Sequence, residues 1–324
     1  MSAEEVELLR ELTIVIPTCE KPENLERAIE YWRDTPITVH IVDGSVKPWF
    51  QIGAQQNVPT ISYHHVPSIL GESSMDNYVR RLEFATTLTK TKYSALCGDD
   101  DTFSVSGLIA SIRLLENNLN FDAVVGQTLG FLPRDNAVLW WLRYGVGSSS
   151  SPYSWDANSI VRLRCARLSL YYGVVKTDLW NKRVHISKSH TWLEDRWETL
   201  FQEVSKALFR SISINQIVWF RYKTVRHSHE AKFVHMREWA RIKENRREVA
   251  SYIDILVEAI LLDSPGLDQY EIKKKIRKFV KNHPESNRRY FRLTKFRKAL
   301  LLRLFSKLDE SLINGMPVLC REIV

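Results

Sequence analysis

The chain of 324 residues contains no run of 18 or more apolar residues, which excludes an ordinary membrane-spanning helix. Its opening, MSAEEVELLREL, is acidic where a secretory leader would be basic and then apolar, so a cytoplasmic protein is expected. Cysteine is scarce. Cys19, Cys97, Cys165 and Cys320 lie far apart and form no CxxC pair, which argues against a disulfide framework and against a thiolate zinc site. A glycine-rich phosphate cradle is missing as well: the first apolar run leads into IPTCEKPEN, which contains neither GxGxxG nor GxxxxGK followed by Ser or Thr. Ordinary dinucleotide-binding dehydrogenases and P-loop enzymes are thereby set aside.

The composition, 44% hydrophobic and 26% charged, is that of a globular chain long enough for one large domain and an appendage. The net charge of +8 is localised. Eight cations (Arg288, Arg289, Arg292, Lys295, Arg297, Lys298, Arg303 and Lys307) occur without an intervening acid, and removing them from the 46 lysines and arginines leaves 38, equal to the 38 acids. The body is neutral and the excess belongs to one C-terminal segment. No RNA-binding or DNA-binding motif accompanies it, so nucleic acid is not an expected partner.

Short β-branched runs alternate with helical patterns through the N-terminal half. LTIVIPT (Leu12 to Thr18) precedes KPENLERAIEYWRD, where Pro22 sits in the first turn and Leu25, Ala28, Ile29 and Trp32 recur at helical spacing. ITVHIVDGS (Ile37 to Ser45) and TISYHHV (Thr60 to Val66) read as strands and SMDNYVRRLEFATTLTK as a helix. The strand YSALCG, the helix SGLIASIRLLENNL and the strand DAVVGQTLGFL follow. This alternation predicts βαβ units and a mostly parallel sheet covered by helices on both faces. From about Lys232, REWARIKENRREVASYIDILVEAILL and LDQYEIKKKIRKFVKNH read as amphipathic helices, broken at Pro265 and Pro284. The expected division is a domain over residues 1–230 and a helical region over 231–324.

Ligands of such sheets bind at the C-terminal strand ends, where Thr18, Asp43 and the run Asp99, Asp100, Asp101 all fall. Three adjacent carboxylates repel one another and are costly to desolvate, which points to a bound cation. A capped loop competes with that reading, because DDDTFSVSGL leads into a helix. If a nucleotide diphosphate binds without a glycine cradle, Mg²⁺ or Mn²⁺ held by carboxylates would meet its charge.

In order along the chain, LTIVIPTCEKPENL, IVDGS, NYVRRLEFATTLTKTKYSALCGDDDTFSVSGL and WLEDRWETL resemble the GT-A glycosyltransferases of the large inverting family 2 type, over roughly Leu12 to His229. IVDGS is one residue shorter than that family's pattern, and Asp99 stands where the family often has a small residue. The resemblance implies a Rossmann-like GT-A fold with a C-terminal α-helical appendage. It also implies transfer of a sugar from a nucleotide-diphosphate donor, a UDP-sugar first among them, to a saccharide or lipid-linked hydroxyl. Thr18 and Asp43 would contact base and ribose, with Glu20 nearby, and Arg80 or Arg81 would position the nucleotide or its phosphates. Asp100 and Asp101 align with the family's paired aspartates, Asp101 ligating the metal. Asp195, preceded by Glu194, would be the general base, and His227 would be a further metal ligand.

Each residue also has a plainer reading. Asp43 in DGS suits a turn. Glu194 and Asp195 open a helical pattern, where acids favour the macrodipole. Arg80 and Arg81 fit a solvated helix face, Thr18 a helix cap, Cys19 a buried thiol, and His227 and His229 a surface loop, while His64 and His65 fall in a strand pattern that suits structural histidines. GVGSSSSPYSWD reads as a loop able to close over a donor, with Trp140, Trp141, Tyr153 and Trp155 available for stacking on sugars, or as a connector. The basic segment 288–308, with Phe291, Phe296 and Phe305, suits peripheral contact with an anionic membrane at its inner face, a helix packed on the domain, or a dimer contact. Two other functions remain open: a non-catalytic GT-A-like scaffold that binds membrane or a partner, and a sugar-phosphate nucleotidyltransferase, whose glycine-rich N-terminal loop is absent here.

Overall fold

The computed structural model describes residues 1–49, 58–134, 137–144, 158–163, 170–188, 196–222 and 236–283. GVGSSSSPYSWD, the Glu194–Asp195 pair, His227, His229 and the basic segment 288–308 lie outside these residues. Strand β1 (Leu12–Thr18) is wholly buried, as an apolar seven-residue run in a central strand must be, and is preceded by helix α1 (Ala3–Arg10). Helix α2 (Pro22–Trp32) begins on its proline and buries Leu25, Ile29 and Trp32, the spacing expected from sequence. Strands β2 (Thr38–Asp43) and β3 (Ile61–His65) follow. Helix α3 (Ser74–Leu88) starts at a capping box, in which Ser73 Oγ accepts from the Asp76 amide and Asp76 returns the bond to the Ser73 amide.

β4 (Tyr93–Leu96), β5 (Asp101–Phe103), helix α4 (Val105–Asn117), β6 (Ala123–Arg134) and β7 (Ala137–Tyr144) come next. A short helix α5 (Ser159–Leu163), strand β8 (Val174–Lys176), helices α6 (Thr177–Lys188) and α7 (Trp197–Leu208), and strand β9 (Ser211–Tyr222) complete the α/β part. Helices α8 (Met236–Trp239), α9 (Arg246–Asp263) and α10 (Gln269–Lys281) follow.

The sheet runs β3-β2-β1-β4-β8-β6-β9-β5, with β7 paired to β6. Its first four strands are parallel, as the βαβ reading requires. Beyond β4 it becomes mixed, with β8 antiparallel to both β4 and β6 and β5 antiparallel to β9. The triplet therefore does not end in a plain capped loop, since Asp101 opens β5 opposite Arg221. Two apolar layers cover the sheet. One packs α1, α2 and α4 through Leu9, Trp32 and Ile112. The other joins Val15 and Val42 to Trp180, Trp197 and Phe201, and also takes in Leu256 and Ile276 of the C-terminal helices.

Beneath α3, His40 and His64 lie with ring centroids 5.4 Å apart, and His40 Nδ1 and His64 Nε2 are buried without partners. Burial and then the neighbouring His64 lower the His40 pKa to about 4, and burial lowers that of His64. An unfolded chain takes up these protons near pH 6.5, while the folded one refuses them until lower pH. Stability is therefore full above about pH 6.5 and lost as pH falls towards 4. His40→Gln should flatten the fall of the thermal midpoint between pH 7 and 4.5; an unchanged slope would place the acid sensitivity elsewhere.

Candidate active site

The ends of β1 and β2 are tied into one surface. Gly44 N donates to Thr18 O at 2.9 Å, and Ser68 Oγ donates to Gly44 O at 2.7 Å. Glu20 adopts the left-handed conformation, φ 54°, unusual for a residue with a side chain. This turn lets its amide donate to Ser45 Oγ at 2.7 Å while its carboxylate accepts from the Val46 amide at 2.7 Å. Glu20 thereby clamps the loop after β2 onto the loop after β1. Asp43 is 2% exposed. Its Oδ1 accepts from the amide and hydroxyl of Ser45, at 2.9 and 2.6 Å, and its Oδ2 accepts from the Tyr63 hydroxyl at 2.7 Å. Asp43 thus organises the loop as well as standing at the strand end. Burial and the bond to Asp43 raise the Tyr63 pKa.

The two arginines of α3 point to different places. Arg80 donates to Pro67 O and to Asn77 Oδ1, at 2.6 and 2.7 Å, and secures the loop between β3 and α3. Arg81 is buried and runs behind Gly44, its guanidinium over the Tyr78 ring at 5.8 Å. Its Nε and Nη1 have no hydrogen-bond partner, and burial lowers its pKa. A Cβ at position 44 would lie 2.0 Å from Arg81 Nη1 and 2.7 Å from its Cζ, so glycine at 44 is what admits the guanidinium. Gly44→Ala should displace Arg81 and cost about 1–3 kcal/mol of stability. In an Arg81→Ala background the same change should cost little, a coupling that chemical denaturation of the four variants would measure; additive losses would refute it.

The three aspartates diverge. Asp99 accepts from Thr18 Oγ1 at 2.9 Å and pairs with Lys21 at 3.0 Å, while Asn24 Nδ2 lies 3.4 Å away. Burial opposes the charge on Lys21, yet Asp99 raises its pKa. Asp101 Oδ1 accepts from the Tyr222 amide at 3.2 Å. Asp100 Oδ1 and Asp101 Oδ2 each lie 3.1 Å from the point where a Gly98 Cβ would stand, so the two carboxylates share one small space. Burial first, then Asp99, raise the Asp100 pKa; burial first, then Asp100, hold that of Asp101 well above the carboxylate range, with Arg221 acting against the rise in both. Such crowded, desolvated oxygens match a hard divalent cation, whose charge would reverse both shifts. Among the described residues no three His, Cys, Asp or Glu side chains converge as a complete ligand set, so such a cation would complete its shell with ligand oxygens or water.

Thr18, Glu20, Asp43, Arg81 and Asp99 to Asp101 are therefore brought to one strand-end surface, while Arg80, next to Arg81 in the chain, braces the loop before α3 instead. Lys21, Ser45, Tyr63 and Arg221 also shape it. Sequence reasoning passed over these four, and only Lys21 and Ser45, adjacent to the strand ends, gave a signal that could have found them. Helix α7 opens beside the same region: Trp197 meets the Tyr78 ring edge-on at 5.7 Å, and the hydroxyls of Tyr78 and Tyr171 are 2.7 Å apart.

No family model matches the sequence, and no curated protein matches it. Solved structures do. The chain superposes on S. aureus TarS residues 1–349 with a TM-score of 0.53 at 12% identity, covering 86% of this chain and 72% of that one. Against the same TarS fragment in complex with UDP-GlcNAc the TM-score is 0.51 at 14% identity, covering 94% and 79%. The fold is GT-A. Within that GT-A frame, the surface built by Thr18, Gly44, Arg81 and the three aspartates lies at the C-terminal ends of β1, β2 and β4, and among the described residues no helix is long and apolar enough to cross a membrane.

Proposed function

We propose that this protein is a metal-dependent, inverting glycosyltransferase that moves a sugar from a UDP-sugar to a hydroxyl of a saccharide or lipid-linked acceptor. The observation that carries the reading is the meeting of Thr18, Arg81 and Asp99 to Asp101 at the strand ends of a GT-A sheet. The solved complex of the structurally similar TarS fragment with UDP-GlcNAc supports the choice of donor.

In this mechanism Thr18 and Asp43 hold the nucleoside, and the unpartnered Nε–H and Nη1–H of Arg81 supply donors to the bound nucleotide. Asp101, with Asp100 beside it and His227 from the chain beyond β9, would hold the divalent ion. Such an ion would supply the positive charge that a departing diphosphate needs. Asp195, with Glu194 next to it, takes the proton from the acceptor oxygen as that oxygen forms its bond to the anomeric carbon and the bond to the diphosphate breaks, which inverts the carbon. Residues 288–308 supply peripheral contact with an anionic membrane at the cytoplasmic face, where a lipid-linked acceptor would be met.

A thermal-shift comparison of UDP, GDP, CDP and dTDP, each with and without Mn²⁺ or Mg²⁺, tests the reading. A nucleotide at 100 times its dissociation constant should stabilise by about 2.7 kcal/mol. The expected result is stabilisation by UDP only with metal, lost in Asp101→Ala. No stabilisation by any nucleotide would favour a scaffold.

A further inference from the structure

The face of α10 that looks away from the core carries a motif the catalytic reading does not use. Ile272, Ile276 and Val280 bury the inner stripe against the rest of the protein. On the opposite side Lys274, Arg277, Lys278 and Lys281 are exposed and recur at i, i+3, i+4 and i+7, forming one ridge. Lys273 turns aside to Asp254, and within the helix Glu271 is the single acid, 3.5 Å from Lys274. Tyr270, 70% exposed, stands on the same stripe one turn before Lys274.

The last turn of α9 and the turn that precedes α10 add exposed apolar surface. Leu262 is 57% and Leu267 43% exposed, so three of the ten exposed large apolar side chains among the described residues fall within 262–270. Isolated exposed leucines are ordinary, but three large apolar groups at one tip beside a cationic ridge are not what water alone selects. A soluble polyanion would be met by the cations and would leave the tip wet. An anionic bilayer satisfies both: the cations lie among headgroups while tyrosine and leucine enter the interface.

We propose that the α9–α10 tip and the outer face of α10 form a docking surface for an anionic lipid bilayer, separate from residues 288–308 and independent of the sugar chemistry. The test is co-sedimentation of the full chain with phosphatidylcholine vesicles, with and without phosphatidylglycerol, over a range of salt. Binding should require phosphatidylglycerol and weaken with salt. Each cation contributes about fivefold, so the quadruple change Lys274→Glu, Arg277→Glu, Lys278→Glu, Lys281→Glu should lower binding by roughly 600-fold or more. Leu267→Ser with Tyr270→Ser should lower it about tenfold while keeping the salt slope. All six side chains are exposed, and an unchanged thermal midpoint would confirm that the variants fold. Vesicle binding unaltered by the charge reversal would overturn the proposal and leave attachment to residues 288–308. Binding to inorganic polyphosphate without binding to either vesicle would overturn it in favour of a soluble polyanion.

Discussion

Asp195→Ala is expected to lower the rate of sugar transfer by about 10²–10⁴-fold, the contribution usual for a positioned general base. The donor should still bind, because the proposed nucleotide surface is built from Thr18, Arg81 and the triplet rather than from position 195. The loss should therefore appear in kcat, with the metal-dependent thermal shift by UDP unchanged, the pattern of an interaction made only in the transition state. The structure offers a rival carboxylate. Glu198, exposed in the first turn of α7, acts electrostatically on Tyr78, Tyr171 and Tyr172, whose hydroxyls burial raises well above their usual range. Glu198→Gln should cost less than tenfold if it merely lines the pocket. Were it to abolish turnover while Asp195→Ala stayed within about threefold of wild type, the base would be reassigned to Glu198.

What could be read from the chain depended on how local the cause was. β1 and α2 were legible because an apolar run and a proline followed by Leu25, Ile29 and Trp32 state their own boundaries. The triplet was legible as a site because three adjacent charges are costly anywhere, but its internal division was not. That Asp99 answers to Thr18 and Lys21, while Asp101 answers to the Tyr222 amide, follows from pairings 78 to 121 residues apart in the chain. Arg80 and Arg81 are neighbours of the same type, and only the approach of Gly44 separates a loop brace from a guanidinium beneath the pocket. The strand β5 was missed because three residues carry no period; it exists because β9 presents its edge to them.

Gly107→Ala is expected to cost about 3 kcal/mol, the upper part of what overpacking costs, and to lower the thermal midpoint by several degrees. In sequence Gly107 looks like a weakness in the helix SGLIASIRLLENNL, where alanine would be better by up to about 1 kcal/mol. The packing reverses the sign. A Cβ there would lie 2.5 Å from Ile217 O and 2.8 Å from Val218 Cα, and both are backbone atoms of β9 that cannot swing aside. Gly126, on the neighbouring β6, meets the same strand: its Cβ would be 2.6 Å from Gln216 O. The two glycines let helix and strand close on the middle of β9. Since β9 carries both the Tyr222 amide that holds Asp101 and the Arg221 that faces it, a shift of β9 should also weaken metal-dependent nucleotide binding. Gly266→Ala is the control, with no atom within 4 Å of its Cβ and no need of a left-handed backbone, and should be neutral or slightly stabilising. Equal midpoints for Gly107→Ala and Gly266→Ala would show that α4 and β9 have room the packing denies them, and would remove the argument that this contact sets the position of Asp101.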